Sequence, residues 1–280
     1  MAHDRVSAAE NILDKEYKVL NKGFVRLVDY LGGDSRIVQA ARVSYGKGTK
    51  SKRQDEGLIN YLMRNEHTSP FEQVIMTFHC KMPIFVARQW VRHRTARLNE
   101  ISGRYSVMEN EFYVPDQEQI RYQSKDNKQG RNESDEVPQE LQQKVLDIIK
   151  SGQRQAYDQY NKMLDENIAR ELARINLPLS LYTQWYWQID LHNLFHFLKL
   201  RMDPHAQWEI RQYAKVMASM AEKVAPFAFE AFETHMLNAV NFSGIEARAL
   251  AKVLAGEEYS LNPTAEADFK RKLNKIKKLI

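Results

Sequence analysis

Positive charge is concentrated in one stretch of the chain, Arg88 to Tyr105, which reads RQWVRHRTARLNEISGRY. It holds five arginines (Arg88, Arg92, Arg94, Arg97 and Arg104) against a single acid, Glu100, with His93, Asn99 and Ser102 among them. A guanidinium presents a planar fork of donors matched to carboxylate or phosphate, so an anionic or planar ligand is the expected reason for this density. The spacing predicts an order within it. Pro83 opens a helix running to about Leu98, on which Gln89, Arg92 and His93 fall at i, i+3 and i+4 and share a face. Arg94 lies about 200° round from Arg92, so the helix would offer guanidinium groups to two sides. Asn99 and Gly103 bracket a loop carrying Glu100, Ser102 and Arg104, where backbone N–H groups suit a phosphate.

A second cluster runs from Asp190 to Glu209, DLHNLFHFLKLRMDPHAQWE. His192 and His196 are at i, i+4, and His205 follows nine residues on, a spacing that admits a metal site. No glutamate separates the pair as in HExxH and no cysteine is near, so histidines that donate to a cofactor or a core carbonyl are favoured and no metal is assigned. Arg201 sits between the apolar positions Leu194, Phe195 and Leu198 and the Asp203-Pro204 break, where part of its side chain would be buried. Arg174, at a helix end before Leu177-Pro178, means little alone.

The elements that position these residues follow from periodicity. Phe24 to Leu31 reads as a strand, and Asp34 or Ser35 would cap a short helix through Val43. Gly46-Lys47-Gly48 is a turn, since Ser51 replaces the third glycine of a dinucleotide loop. Leu58, Ile59, Leu62 and Met63 form a helical stripe, and Thr68-Ser69-Pro70 starts a helix with Pro70 first. Val74, Met76, Phe78, Cys80 and Met82 share one face of a strand, with Ile75, Thr77, His79 and Lys81 on the other. Residues 116–140 are a polar excursion. Leu141, Val145, Ile148, Ile149, Tyr160, Met163 and Leu164 mark a long helical region, and a second helix spans about Ile168 to Ile175. Leu181 to Ile189 alternates as a strand, and Asp190 caps the helix after it. Further helices run from about His205 to Val224 and from Pro226 towards His235. Two short helices close a basic tail, 244–280. Strands and helices mix without regular βαβ alternation, which predicts one α+β domain over 1–280, with a mixed or antiparallel sheet and flanking helices.

Composition narrows the function classes. The 280 residues are 43% hydrophobic with net charge +5, a balance open to nucleic acid or small anions. No apolar run is long enough to span a bilayer. The charged N-terminal segment has no apolar core of a secretory signal, and the single cysteine, Cys80, permits no internal disulfide, so a cytoplasmic protein is expected.

Arg92-His93-Arg94, seven residues, then Ser102 resembles the RHR-x7-S signature of the flavin-dependent thymidylate synthases, extended here as Asn99 to Tyr105. AARVSY (Ala40 to Tyr45), SPFE (Ser69 to Glu72), PIFVARQW (Pro83 to Trp90), LPLSLYT (Leu177 to Thr183) and LR-x-D-x-HAQWEIRQYA (Leu200 to Ala214) follow the same family in order, over about Lys22 to Phe232. The resemblance implies thymidylate made from deoxyuridylate (dUMP), with a methylene group from 5,10-methylenetetrahydrofolate and reducing equivalents from NADPH carried by FAD. It implies homotetramers whose active sites are built from several subunits, with no nucleic acid or membrane partner.

Matched by position, Gln89, Trp90, Val91 and Arg92, then Glu100, Ile101, Ser102, Gly103 and Arg104, with Arg174, would line the dUMP site. Ser69, Arg92, His93, Arg94, Glu100, Asp190, Leu191, His192, His196 and His205 would reach FAD. Arg201 matches the residue that favours ionisation of uracil N3. The resemblance also implies hydride addition to uracil C6 without an enzyme nucleophile. That agrees with Cys80 on a core strand and with Ser102, which has no evident base and takes a binding role. Two other readings of the same residues stand beside this one: a nucleic-acid-binding module using the arginines, and a metal-dependent hydrolase using His192, His196 and His205.

Overall fold

The computed structural model describes residues 4–43, 52–125, 129–132 and 135–277. The turn expected at Gly46-Lys47-Gly48 lies outside them. The described chain forms two compact units, residues 1–231 and 232–280.

In the first unit, helix α1 (Ser7–Glu10) precedes strands β1 (Glu16–Val19) and β2 (Gly23–Leu31), then α2 (Asp34–Arg42) and α3 (Lys52–Arg64). A 3-10 turn, Phe71–Gln73, leads into β3 (Ile75–Pro83), α4 (Ile84–Trp90) and β4 (Arg97–Glu100). After the polar excursion come α5 (Gln139–Asp165), α6 (Arg170–Ala173), β5 (Tyr182–Asp190), α7 (Leu191–Arg201), α8 (Trp208–Val224) and α9 (Pro226–Phe232). The fold is α+β, and its sheet is antiparallel throughout, in the order β1-β2-β3-β5-β4.

The alternation read in β3 and β5 has its physical outcome here. Met76, Phe78, Cys80 and Met82 pair with Ile189, Trp187, Trp185 and Thr183 on the buried face, beneath α4, α7 and α8. Trp90 of α4 is the centre of this layer, with Trp185, Trp187, Phe197 and Tyr213 around it at ring-centroid distances of 5.0–5.8 Å. Large aromatic side chains packed edge to face fix both position and orientation. The last residue of α4 is thereby locked, and so is the point from which the arginine stretch departs. On the other face Thr77 and His79 oppose Gln188 and Tyr186 and are only partly covered.

Local rules and tertiary demand part company in several places. The helix expected to reach Leu98 ends at Trp90. Residues 97–100 pair instead with β5, Arg97 with Gln188 and Leu98 with Trp187, and supply the hydrogen bonds that the edge of β5 would otherwise lack. Ladder formation therefore outweighs helix propensity. Arg92, His93 and Arg94 accordingly lie beyond the helix, and no common helix face carries them. Asp34 does not cap its own helix: Gly33 is the N-cap, and the Asp34 carboxylate accepts from Phe227 and Ala228 N–H at 2.9 and 3.0 Å, capping α9 from a distance. Pro70 precedes a single 3-10 turn, where a longer helix was expected. Leu141 and Ile148 are exposed on α5. Helix α8 begins at Trp208, so His205 sits in the preceding turn.

The second unit continues with a π-helical turn, Glu233–Leu237, then α10 (Gly244–Ala255) and α11 (Pro263–Lys277). Ser243 and Glu246 form a capping box, and Lys272 of α11 donates to both Glu246 oxygens at 2.6–2.7 Å. Lys270 and Arg271 pair with Glu266 and Asp268 along their own helix.

Candidate active site

The expected site residues fall into three groups. The first gathers where α4 ends beside the C-terminal turn of α7. Arg201 Nε donates to His93 Nε2 at 3.0 Å, and Nη2 reaches the Gln89 carbonyl at 3.4 Å. The His93 ring packs edge-on against Phe197 at 4.9 Å and lies 5.9 Å from His196. Burial, aided by the charge of Arg201 and by His196, lowers the His93 pKa to about 4. The imidazole is therefore neutral at pH 7, and because Nε2 accepts from Arg201 its proton is on Nδ1. Burial also pulls Arg201 below the usual guanidinium value, but arginine remains charged at neutral pH. No carboxylate among the described residues pairs with Arg201. The Gln89 side chain is hydrogen-bonded to that of Gln207. Arg88, Arg92 and Arg94 are exposed, and their side chains make no ion pair or hydrogen bond among the described residues.

The second group forms where β4 runs into a tight turn. Glu100 accepts a 2.5 Å hydrogen bond from Thr183 Oγ1, and Ile101 N–H donates to the Gln184 carbonyl. Ser102 closes the turn: its carbonyl accepts from Tyr105 and Ser106 N–H, and its Oγ accepts from Arg104 N–H at 3.3 Å. Gly103 is buried against the Arg174 side chain; a Cβ there would fall 3.0 Å from Arg174 Cδ and from Met108 Sδ. The close approach that glycine permits is what brings Arg174, more than seventy residues away, to the turn. Arg104 pairs with Glu171 at 3.0 Å.

The third group lies at the other end of α7. Asp190 caps that helix, accepting from Asn193 N–H at 2.9 Å and Asn193 Nδ2 at 2.8 Å. Leu191 is buried, His192 is half-buried, and exposed Ser69 precedes the 3-10 turn that packs on this helix. His205 stands apart, tied to Asp203 by its backbone N–H and its ring. Among the described residues no hydrogen bond, ion pair or ring contact joins a member of the first group to a member of the second. No three His, Cys, Asp or Glu residues among them cluster closely enough to hold a metal ion.

The family model described as thymidylate synthase complementing protein matches residues 26–227. The flavin-dependent thymidylate synthase of Treponema denticola is 62% identical over 262 residues, covering 93% of this chain and 98% of that protein. Its counterpart from Treponema pallidum is 57% identical over 273 residues, covering 98% and 89%. The chain belongs to the flavin-dependent thymidylate synthase family. Among solved structures, the UMP/dUMP methylase PolB from Streptomyces cacaoi, bound with 5-Br dUMP, has a TM-score of 0.71 at 35% identity, covering 78% of this chain and 97% of that one.

Members of the family are methyltransferases that depend on a flavin. The donor set here fits such a group. A neutral imidazole, a second accessible imidazole and arginines without acid partners among the described residues suit an anionic planar ligand. Sequence reasoning missed three participants. Gln207 holds Gln89, Thr183 holds Glu100, and Met108 walls the Gly103 turn. Gln207 and Thr183 lie inside the matched segments HAQWE and LPLSLYT, which is the signal that pointed to them; nothing marked Met108.

Proposed function

We propose that the chain makes dTMP from dUMP, using 5,10-methylenetetrahydrofolate as carbon donor and NADPH as reductant, with FAD as its flavin. Bound FAD would supply the hydride that adds to uracil C6. The protein's part is to bind, orient and polarise. Arg201 is the group we assign to activation. Half-buried and paired with no carboxylate among the described residues, it can stabilise negative charge at uracil N3 and on the developing enolate oxygen. Neutral His93 accepts from Nε and fixes the guanidinium plane, which leaves Nη1 without a protein partner among the described residues. Low local dielectric makes such a preorganised charge worth more than one in water.

Gln89, Trp90, Val91 and Arg92, with Glu100, Ile101, Ser102, Gly103, Arg104 and Arg174, are assigned to dUMP, the last three and Ser102 to its phosphate. Ser69, Arg92, His93, Arg94, Glu100, Asp190, Leu191, His192, His196 and His205 are assigned to FAD. Asp190 would act there through the helix start it caps. No nucleophile is assigned. Cys80 is fully buried and burial pushes its thiol pKa up, while Ser102 Oγ has no base as a partner.

The two arginine groups are separate on one chain, and Leu172, Ile175 and Leu179 beside the second are exposed. Both features support a homotetramer in which one subunit's Arg201 group faces another's Arg174 group, on a single catalytic domain. No described helix is long and apolar enough to cross a membrane. We assign the protein to the cytoplasm, with small-molecule partners and no nucleic acid.

The observation that carries this reading is the charged Arg201, held by a neutral His93 and paired with no acid among the described residues. Its test is tritium release from dUMP labelled at C5, by purified protein supplied with FAD, NADPH and methylenetetrahydrofolate. Release that requires all three is expected, together with a visible flavin spectrum. A protein that takes up no flavin and releases no tritium would contradict it.

A further inference from the structure

A cavity of about 540 Å³ lies between the polar excursion and the start of α8. Its wall includes Glu118, Arg121 and Arg131 from the excursion, and His205, Trp208 and Arg211 from the turn and helix opposite. That volume suits part of an organic ligand better than a lone ion.

The three arginines are not equivalent. Arg131 is committed: it pairs with Glu209, which is 1% exposed, and donates through Nη1 to Gln119 at 3.2 Å. Tyr113 donates to the same Glu209 oxygen at 2.9 Å. Arg131 therefore acts as a latch that fixes the excursion to the first turn of α8. Among the described residues the Arg121 side chain makes only an Nε hydrogen bond, to the Glu118 carbonyl at 2.9 Å. The Arg211 side chain makes no hydrogen bond or ion pair among the described residues, and its Nε is buried without a partner. A buried guanidinium N–H with no acceptor costs free energy that a bound acceptor would recover. The N-cap of α8, Gln207, gives no side-chain cap, so the positive end of a 17-residue helix adds to the same field. Glu118 is the one acid on the wall among the described residues.

We propose that this cavity binds the anionic end of a co-substrate, a carboxylate or phosphate held between Arg121 and Arg211, with the Trp208 indole beside its organic portion. The inference rests on the co-substrates proposed above. None of the residues assigned to dUMP lines the cavity, and of those assigned to FAD only His205 does. The remaining oxyanions are the glutamate carboxylates of the folate and the 2′-phosphate and diphosphate of NADPH. The first half of the cavity wall is the excursion itself, which would then serve as a binding element rather than a surface decoration.

The test uses the full-length holoenzyme and the variants Arg211→Gln, Arg121→Gln and Arg121→Glu, the last pair keeping the test alive should the Arg211 variant fail to fold. KM is measured for methylenetetrahydrofolate and its pteroate analogue lacking glutamate, for NADPH and NADH, and for dUMP. Loss of one charge-assisted contact should raise one co-substrate's KM about tenfold. A folate effect that disappears with the pteroate analogue identifies the glutamate; an NADPH effect absent with NADH identifies the 2′-phosphate. Folate and NADPH KM values unchanged within about twofold would overturn the proposal. So would an effect confined to dUMP or to flavin content. Titration calorimetry of wild type and variants with the same compounds reads the cavity without turnover. Weaker binding in the variants would then support the cavity even if thymidylate synthesis failed, and equal binding would overturn it.

Discussion

Arg201 and Arg104 carry the same charge in opposite surroundings. Arg201 is half-buried between a neutral imidazole and a backbone carbonyl, with no acid among the described residues to neutralise it. Arg104 is 56% exposed and pairs with Glu171, itself 54% exposed. An exposed pair of this kind contributes about 0–1 kcal/mol and exchanges readily with water. A desolvated, unpaired guanidinium is costly to the fold and is kept where a ligand's charge repays it. The contrast separates two jobs. In the function proposed above, the Arg201 group would polarise the base of the substrate. The turn at Ser102 to Arg104, with Arg174 laid across Gly103, would grip its phosphate and trade Glu171 for the ligand.

The difference can be broken most severely at Arg201. Arg201→Ala should lower kcat by about 10²–10³-fold while protein and flavin are retained, because a donor used on developing charge has been removed. Full turnover in single-turnover assays would refute its role. At the other group, Gly103→Ala should act mainly on binding. The added Cβ meets Arg174 Cδ and Met108 Sδ at 3.0 Å, so Arg174 must shift, and the KM for dUMP should rise about tenfold with kcat less affected. An unchanged KM would detach Arg174 from the phosphate.

The smallest effect concerns His93 and appears in stability. In the unfolded chain this imidazole takes a proton near 6.5, in the fold only near 4. Protons thus favour the unfolded chain across that window, and stability falls as pH drops from 6.5 towards 4. His93→Gln, which keeps an acceptor for Arg201, should show a shallower loss over the same range in urea-unfolding midpoints of the ligand-free protein. Parallel curves for the two proteins would mean that His93 is not held neutral.

The sequence showed these groups unevenly, for physical reasons. Strands β3 and β5 and the Asp190-capped α7 were legible because period-two burial and an N-cap are local signals. The C-terminal end of α4 and the existence of β4 were not. RLNE has little intrinsic strand character, and it becomes a strand because β5 offers an unpaired edge. The types of the site residues were legible from the matched segments, but their pairings were not. His93 and Arg201 meet across 108 positions, Gln89 and Gln207 across 118. The polar excursion reads as surface, and its anchorage appears only when Arg131 is seen on the buried Glu209 carboxylate, 78 positions away.

The separation of the two arginine groups on one chain is most directly tested by subunit mixing. Arg201→Ala protein, expected to be deficient in kcat, and Arg174→Ala protein, expected to be deficient in dUMP binding, are unfolded together, refolded as a mixture and assayed for dTMP formation at low dUMP. If each active site draws one group from each of two subunits, random assembly at equal input restores up to about one quarter of wild-type activity. A mixture no more active than its parents would contradict the account.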